Sequence, residues 1–160
     1  MPSNPPKLVI PTVVAKADSG ASKHYFRPQD INVLDNIIDE DGPTVALPDN
    51  TTLHATKAGT LPITGVSTLA KKVHIIPKLS SSSLISMGQL CDDDCDVHLR
   101  KEDMDVKKDN KVIIRGLRNK FDGLWDIEFK NPIITRNKLV KLWDINSRKP
   151  EGPAKLVNLN

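Results

Sequence analysis

The sequence predicts an all-β domain with one or two short helices, on two observations. Short apolar stretches recur at steady spacing along 160 residues, separated by Gly, Pro, Asn and Asp. Helical periodicity is weak, and twelve prolines punctuate the chain, each removing an amide donor that a helix interior needs. Such a pattern builds a small barrel or sandwich. One domain is the natural expectation at this length. With 38% apolar residues and an aromatic content of 4%, its core is lean.

The elements follow in order. Residues 8–17 form one strand, or two short strands around Pro11, and His24-Tyr25-Phe26 leaves the next turn as a strand. Ile31, Val33, Leu34, Ile37 and Ile38 suit a short helix or a loop laid on the core. Residues 45–47 and 52–55 alternate about Pro48-Asp49-Asn50-Thr51, the signature of a hairpin with its turn at Asp49-Asn50. Residues 59–63 and 72–76 are further strands, the second closed by Pro77. A serine run, Ser80 to Ser83, leads into Leu84-Ile85-Ser86-Met87-Gly88-Gln89-Leu90. Residues 95–99 alternate as a strand, 104–106 and 112–114 frame a turn at 108–110, and 124–129 is the last strand.

Composition bounds the function. The net charge is +3 with basic residues scattered among acids, so no dedicated nucleic-acid surface is expected. No apolar run reaches the length of a membrane span, and no signal peptide is recognisable. Two cysteines without a secretory signal suit a reducing compartment, which leaves the sequon at Asn50-Thr51-Thr52 without weight. Residues 1–7 read as a flexible arm, 8–130 as the domain, and 131–160 as an extension that is basic and then broken by Pro and Gly. Asn119-Lys120 precedes Leu124-Trp125-Asp126-Ile127 as Asn137-Lys138 precedes Leu142-Trp143-Asp144-Ile145. Two copies at so short a period do not make a solenoid.

The strongest chemical signal is Asp18-Ser19-Gly20-Ala21, which ends the first apolar run. A strand that delivers Asp into a Ser-Gly turn is how aspartic proteases present a catalytic carboxylate. Glycine lets backbone N–H groups approach that carboxylate, and the serine hydroxyl can brace the loop. The chemistry needs two carboxylates, one holding a shared proton and the other taking a proton from water. The chain holds one such triplet, so the second would come from a second copy. The ordinary alternative is a turn, because Asp and Ser bond their own backbone and Gly tolerates positive φ. The preceding apolar run and the small Ala21 favour the functional reading.

Other constellations are weaker. Cys91, Cys95 and His98 have metal-ligand chemistry but lack a fourth partner for zinc, so a buried thiol beside a turn is the expectation and no metal or cofactor is assigned. Asp92, Asp94 and Asp96 mimic a calcium loop, but Val97 and Asp103 stand where glycine and glutamate are needed. Ser22 and His24 lack the surroundings of a serine nucleophile; His24 suits a strand position packed near the turn. His54 and His74 read as strand histidines, and Trp125 and Trp143 as core or interface anchors.

Three blocks then carry a resemblance. Residues 17–24, Ala-Asp-Ser-Gly-Ala-Ser-Lys-His, are close to the motif of the aspartic protease region in copia-type retrotransposon polyproteins, a retropepsin-like family. The hairpin at 45–52, running on to Gly59–Ile63, is the second block. The third is Leu84-Ile85-Ser86-Met87-Gly88-Gln89-Leu90-Cys91-Asp92, and the closing Gly123-Leu124-Trp125 also resembles the family pattern. The likeness spans about residues 8–130 in order.

The resemblance implies a retropepsin-like closed barrel that acts as a homodimeric endopeptidase on its own polyprotein, in the cytoplasm or within virus-like particles. Asp18 would be catalytic, with Ser19, Gly20 and Ala21 forming the active-site loop. Leu47, Pro48, Asp49, Asn50 and Thr51 would form the flap over substrate, although the glycine-rich tip of the viral enzymes is missing. Ile85, Met87 and Gly88 would support the loop from behind, with Ser86 interrupting the apolar pair expected there. Strands near Leu8–Ile10 or Leu124–Phe129 would join the dimer. The second reading of the same fold is a non-catalytic dimerisation or peptide-binding module in a polyprotein or domesticated gene product.

Overall fold

Val13 and Ala15 are buried in strand β1 (Thr12–Asp18) while Val14 faces out, the alternation expected of a half-buried strand. The computed structural model describes residues 10–131; the arm at 1–7, the strand residues 8 and 9, the extension beyond Asn131 and the second Leu-Trp-Asp-Ile lie outside the described residues. β1 is followed by β2 (His24–Phe26), a 3-10 helix η1 (Pro28–Val33), β3 (Asp35–Asp39), β4 (Thr44–Ala46), β5 (Thr52–His54) and β6 (Lys57–Thr60). Then come α1 (Thr68–Lys71), β7 (Lys72–Ile75), β8 (Leu84–Ser86), α2 (Met87–Cys91), β9 (Asp96–Leu99), β10 (Asp103–Lys108), β11 (Lys111–Arg118) and β12 (Trp125–Lys130). The chain is mainly β with short helices, as expected.

Ten strands share one sheet in the order β3-β6-β7-β2-β8-β1-β12-β11-β10-β9, and β4 and β5 form a separate hairpin. β3 and β9 end the sheet without pairing to each other, so no closed barrel is found among the described residues. This corrects the expected closure: a barrel needs its first and last strands hydrogen-bonded.

β1 lies at the centre. It runs antiparallel to β12, with Ala15 opposite Ile127, and parallel to β8, with Ala17 opposite Ile85 and Asp18 opposite Ser86. The main core gathers Val13, Ala15, Phe26, Ile85, Leu90, Ile127 and Phe129, and the Phe26 and Phe129 rings tilt against each other at 6.3 Å. A smaller cluster of Tyr25, Ala55, Ile76 and Leu79 lies towards the hairpin.

Residues 31–38 depart from the expected helix or loop. Only the first half is helical, because Pro28 starts η1 and the chain then extends as β3 against β6. The β3–β6 register shifts after Asp35, where Asn36 takes φ 51°, a conformation Asn tolerates better than most residues. Both hairpin turns form where expected: Asn50 stands at φ 67°, and Asp109 and Asn110 at 51° and 63°. A positive φ at two consecutive turn residues matches the twist of the flanking strands.

Candidate active site

Asp18 is the last residue of β1, and the chain leaves the sheet immediately after it. The Gly20 N–H donates to Asp18 Oδ1 at 2.7 Å, closing the turn on the carboxylate. A Cβ on residue 20 would sit 3.3 Å from that same oxygen, so glycine keeps the approach open. Ser19 and Gly20 are exposed and Ala21 is half-buried.

The loop is tied down from α2. Ser86 Oγ donates to the Ala21 carbonyl oxygen at 2.6 Å and accepts from Gln89 N at 2.9 Å, capping α2 as it does so. The sequence marked Ser86 as an interruption of an apolar pair; it is the residue that holds the turn. The wholly buried Ile85 packs in the core opposite Ala17. Met87 is also buried and lines the cleft at Asp18. Gly88 is exposed, and an added Cβ would meet only Ser86 Oγ, at 3.7 Å. No steric demand for glycine therefore operates at position 88.

Asp18 opens on a cleft of about 410 Å³, lined among others by Lys16, Met87, Leu99, Asp122, Leu124 and Trp125. Lys16 Nζ lies 2.7 Å from Asp122 Oδ2 and 2.5 Å from Asp126 Oδ1. Burial pulls the Lys16 ammonium down, but the two carboxylates outweigh it and leave it raised. Asp122 is lowered by its bond from Lys16 and by the Leu124 amide. Asp122 is thus held as an anion, and the Lys16 charge is already matched. The Trp125 indole N–H is anchored on the Arg100 and Asp103 carbonyls at 2.9 Å, and the Arg118 guanidinium stacks 4.6 Å from its ring centre. Leu124 and Trp125 belong to a block the sequence singled out, whereas Lys16, Leu99 and Asp122 come to this wall from separate parts of the chain with no local signal to mark them.

The hairpin meets the loop at its base and not at its tip. Val45 and Leu53 pack with Ala21 on the small cluster around Tyr25 and Ile76. The tip is braced internally: Leu47 N donates to Thr51 O, and Asp49 Oδ1 accepts from both Thr51 N and Thr51 Oγ1. None of Leu47, Pro48, Asp49, Asn50 or Thr51 lines the cleft at Asp18.

Cys91 is exposed, Cys95 is buried, and both are free thiols. Burial pushes the Cys95 thiol up, away from thiolate chemistry. Among the described residues no group of three or more His, Cys, Asp or Glu is placed to hold a metal ion. No helix among them is long and apolar enough to cross a membrane. No family model, curated protein or solved structure matches the chain.

Proposed function

We propose that the chain is a retropepsin-like aspartic endopeptidase, active as a homodimer on polypeptide substrates that include its own polyprotein. The observation that carries this reading is the Asp18 loop: a carboxylate at a strand end, received by the Gly20 amide and open to a substrate-sized cleft. The other carboxylate lining the cleft, Asp122, is ion-paired to Lys16 and cannot hold a shared proton. The partner acid for Asp18 is therefore Asp18 of a second copy. One Asp18 carboxylate, ionised, takes a proton from a water as that water attacks the peptide carbonyl carbon. The other, protonated, donates to the carbonyl oxygen, and the proton taken from water passes to the leaving amine. The apolar cleft wall of Met87, Leu99 and Leu124 suits side chains flanking the scissile bond.

The test is hydrolysis of peptides drawn from the parent polyprotein, with Asp18→Asn beside the wild type and a statine-type transition-state analogue as inhibitor. Asn keeps the hydrogen bond from Gly20 but cannot accept a proton. Loss of about 10²-fold or more in kcat, with the fold intact by circular dichroism, is expected. An Asp18→Asn protein that turns over within about tenfold of wild type, or a wild type indifferent to the inhibitor, overturns the reading.

A further inference from the structure

His24 begins β2, three residues beyond Ala21, and is wholly buried. Its ring Nε2 lies 2.8 Å from the Ala70 carbonyl oxygen, and its Nδ1 accepts from Ser86 N at 2.9 Å. Its backbone N–H donates to Gln89 Oε1 at 2.8 Å, while the Gln89 amide nitrogen donates to the Leu69 and Lys72 carbonyls. Ser86, whose amide His24 receives, is the residue whose hydroxyl holds Ala21. A continuous chain of hydrogen bonds thus runs from α1 through His24 and Ser86 to the Asp18 loop.

We propose that His24 is a positioning residue, whose neutral ring, fixed between Ala70 and Ser86, holds the Asp18–Ala21 loop in the conformation that presents the carboxylate. The inference rests on the proposed peptidase reading for its catalytic consequence, and on geometry alone for the coupling itself. A carbonyl oxygen only accepts, so Nε2 must carry the proton; Nδ1 must then be bare to receive the Ser86 N–H. Both ring nitrogens are committed, and one tautomer is selected. A second proton would put donor against donor at Ser86, in a buried site where an unpaired polar group is costly.

The charges around the ring favour the neutral form. Lys23 precedes it on the chain, and His74 and Lys72 stand on the adjacent β7, with Glu40 beside both. Lys71 ends α1, and Asp92 and Asp93 line the depression shared by Lys23, Ala70 and Gln89. β8 brings no ionisable side chain. Burial, with His74 and Lys23 against the bond to Ala70, lowers His24 to about 4. Below that value Ser86 is displaced and the loop is released, an acid limit on catalysis separate from the Asp18 pair.

The experiment uses NMR titration of the full chain in the Asp18→Asn background, where the catalytic carboxylate cannot contribute. The His24 ring should report the Nε2–H tautomer. The amides of Ser19, Gly20 and Ala21 should shift with the same midpoint as that ring, near 4, and the shift should vanish in D18N/H24N. Loop amides that stay still while His24 titrates, or that shift equally in the D18N/H24N chain, overturn the coupling. In the catalytically intact chain, Asn places an oxygen where Nδ1 stood, so His24→Asn should keep KM and lose the acid limb near pH 4. His24→Leu, with no acceptor for Ser86, should lower kcat roughly 10- to 100-fold. An acid limb in H24N equal to that of wild type, or a kcat in H24L equal to that of wild type, overturns the proposal. A wild type that cleaves nothing defeats the peptidase reading and leaves the titration to decide the coupling.

Discussion

Ser86 sits opposite Asp18 in the parallel β1–β8 ladder and reaches across to hold the Ala21 carbonyl at 2.6 Å. One hydroxyl therefore caps α2 and fixes the end of the Asp18 turn.

Ser86→Ala removes both bonds and leaves the Ala21 carbonyl and the Gln89 amide short of a partner. A cap is worth about 1 kcal/mol, and the half-buried Ala21 acceptor left without its partner adds about as much again. Unfolding in urea should show a loss of about 2 kcal/mol, and kcat should fall more than KM rises. Ser86→Thr keeps the hydroxyl and should recover most of both effects. Equal losses for the two variants would mean that volume and not the hydroxyl matters.

Stability should decline on acidification because of His24. Its folded-state value, about 4, lies below the ordinary 6.5. Between those values the unfolded chain binds the proton that the folded chain excludes, so stability rises with pH there. The contribution is complete above about pH 6.5 and lost as pH falls towards 4, up to about 3 kcal/mol in all. His74, lowered by burial and by Lys72, acts in the same direction. Denaturant unfolding from about pH 4 to 7 should show this slope, and His24→Asn should flatten it. A slope unchanged in that variant assigns the titration elsewhere.

Two glycines should respond in opposite ways. A Cβ on Gly116 would lie 2.5 Å from the Asp126 carbonyl oxygen and 2.7 Å from Met104 Cγ. The first is backbone of the neighbouring strand and cannot yield without moving β12. Gly116→Ala should cost about 1–3 kcal/mol. Gly88, in α2, has only Ser86 Oγ nearby, at 3.7 Å, so Gly88→Ala should be neutral or stabilise by about 0.5–1 kcal/mol through helix propensity. Thermal unfolding of both variants checks the contrast. A destabilised Gly88→Ala would restore a structural demand for glycine there.

What was legible in the chain was local. The hairpin turns at Asp49-Asn50 and Asp109-Asn110 could be read because turn chemistry is written in neighbouring residues. The turn from Asp18 to Gly20 was legible for the same reason. The rest depends on pairs far apart in sequence. The parallel meeting of β1 with β8, Ser83 bonding to buried Asp30 beside Arg27, and Asn131 bonding to the Val33 carbonyl have no local signature. Ile37 and Ile38 misled for a related reason. Their apolar spacing fits a helix, yet Ile38 is half exposed, and the segment becomes a strand because β6 offers an edge.

The last prediction concerns assembly. The proposed chemistry needs a second Asp18, so specific activity should fall on dilution as dimer gives way to monomer. The strand near Leu124–Phe129 was expected to join the interface; β12 is bonded to β1 on one side and, over Trp125–Ile127, to β11 on the other, which leaves its end from Glu128 to Lys130 without a ladder partner on the β11 side. The Leu8–Ile10 segment lies mostly outside the described residues. The sheet ends at β3 and at β9, and unpaired edges are where a second chain can add. Of the two, β9 is better placed, because Leu99 at its end is half exposed and lines the cleft that holds Asp18. A two-fold axis passing near Asp18 would bring this edge towards its own copy. Leu99→Lys should therefore shift the monomer–dimer equilibrium towards monomer and lower activity most at low protein concentration. Ile38→Lys, an equally exposed apolar position on the β3 edge, should leave the equilibrium within about twofold of wild type. Sedimentation velocity and activity across one dilution series read both. Dissociation by Ile38→Lys but not by Leu99→Lys would move the interface to β3. A monomer of constant specific activity at every concentration would break the two-copy mechanism itself.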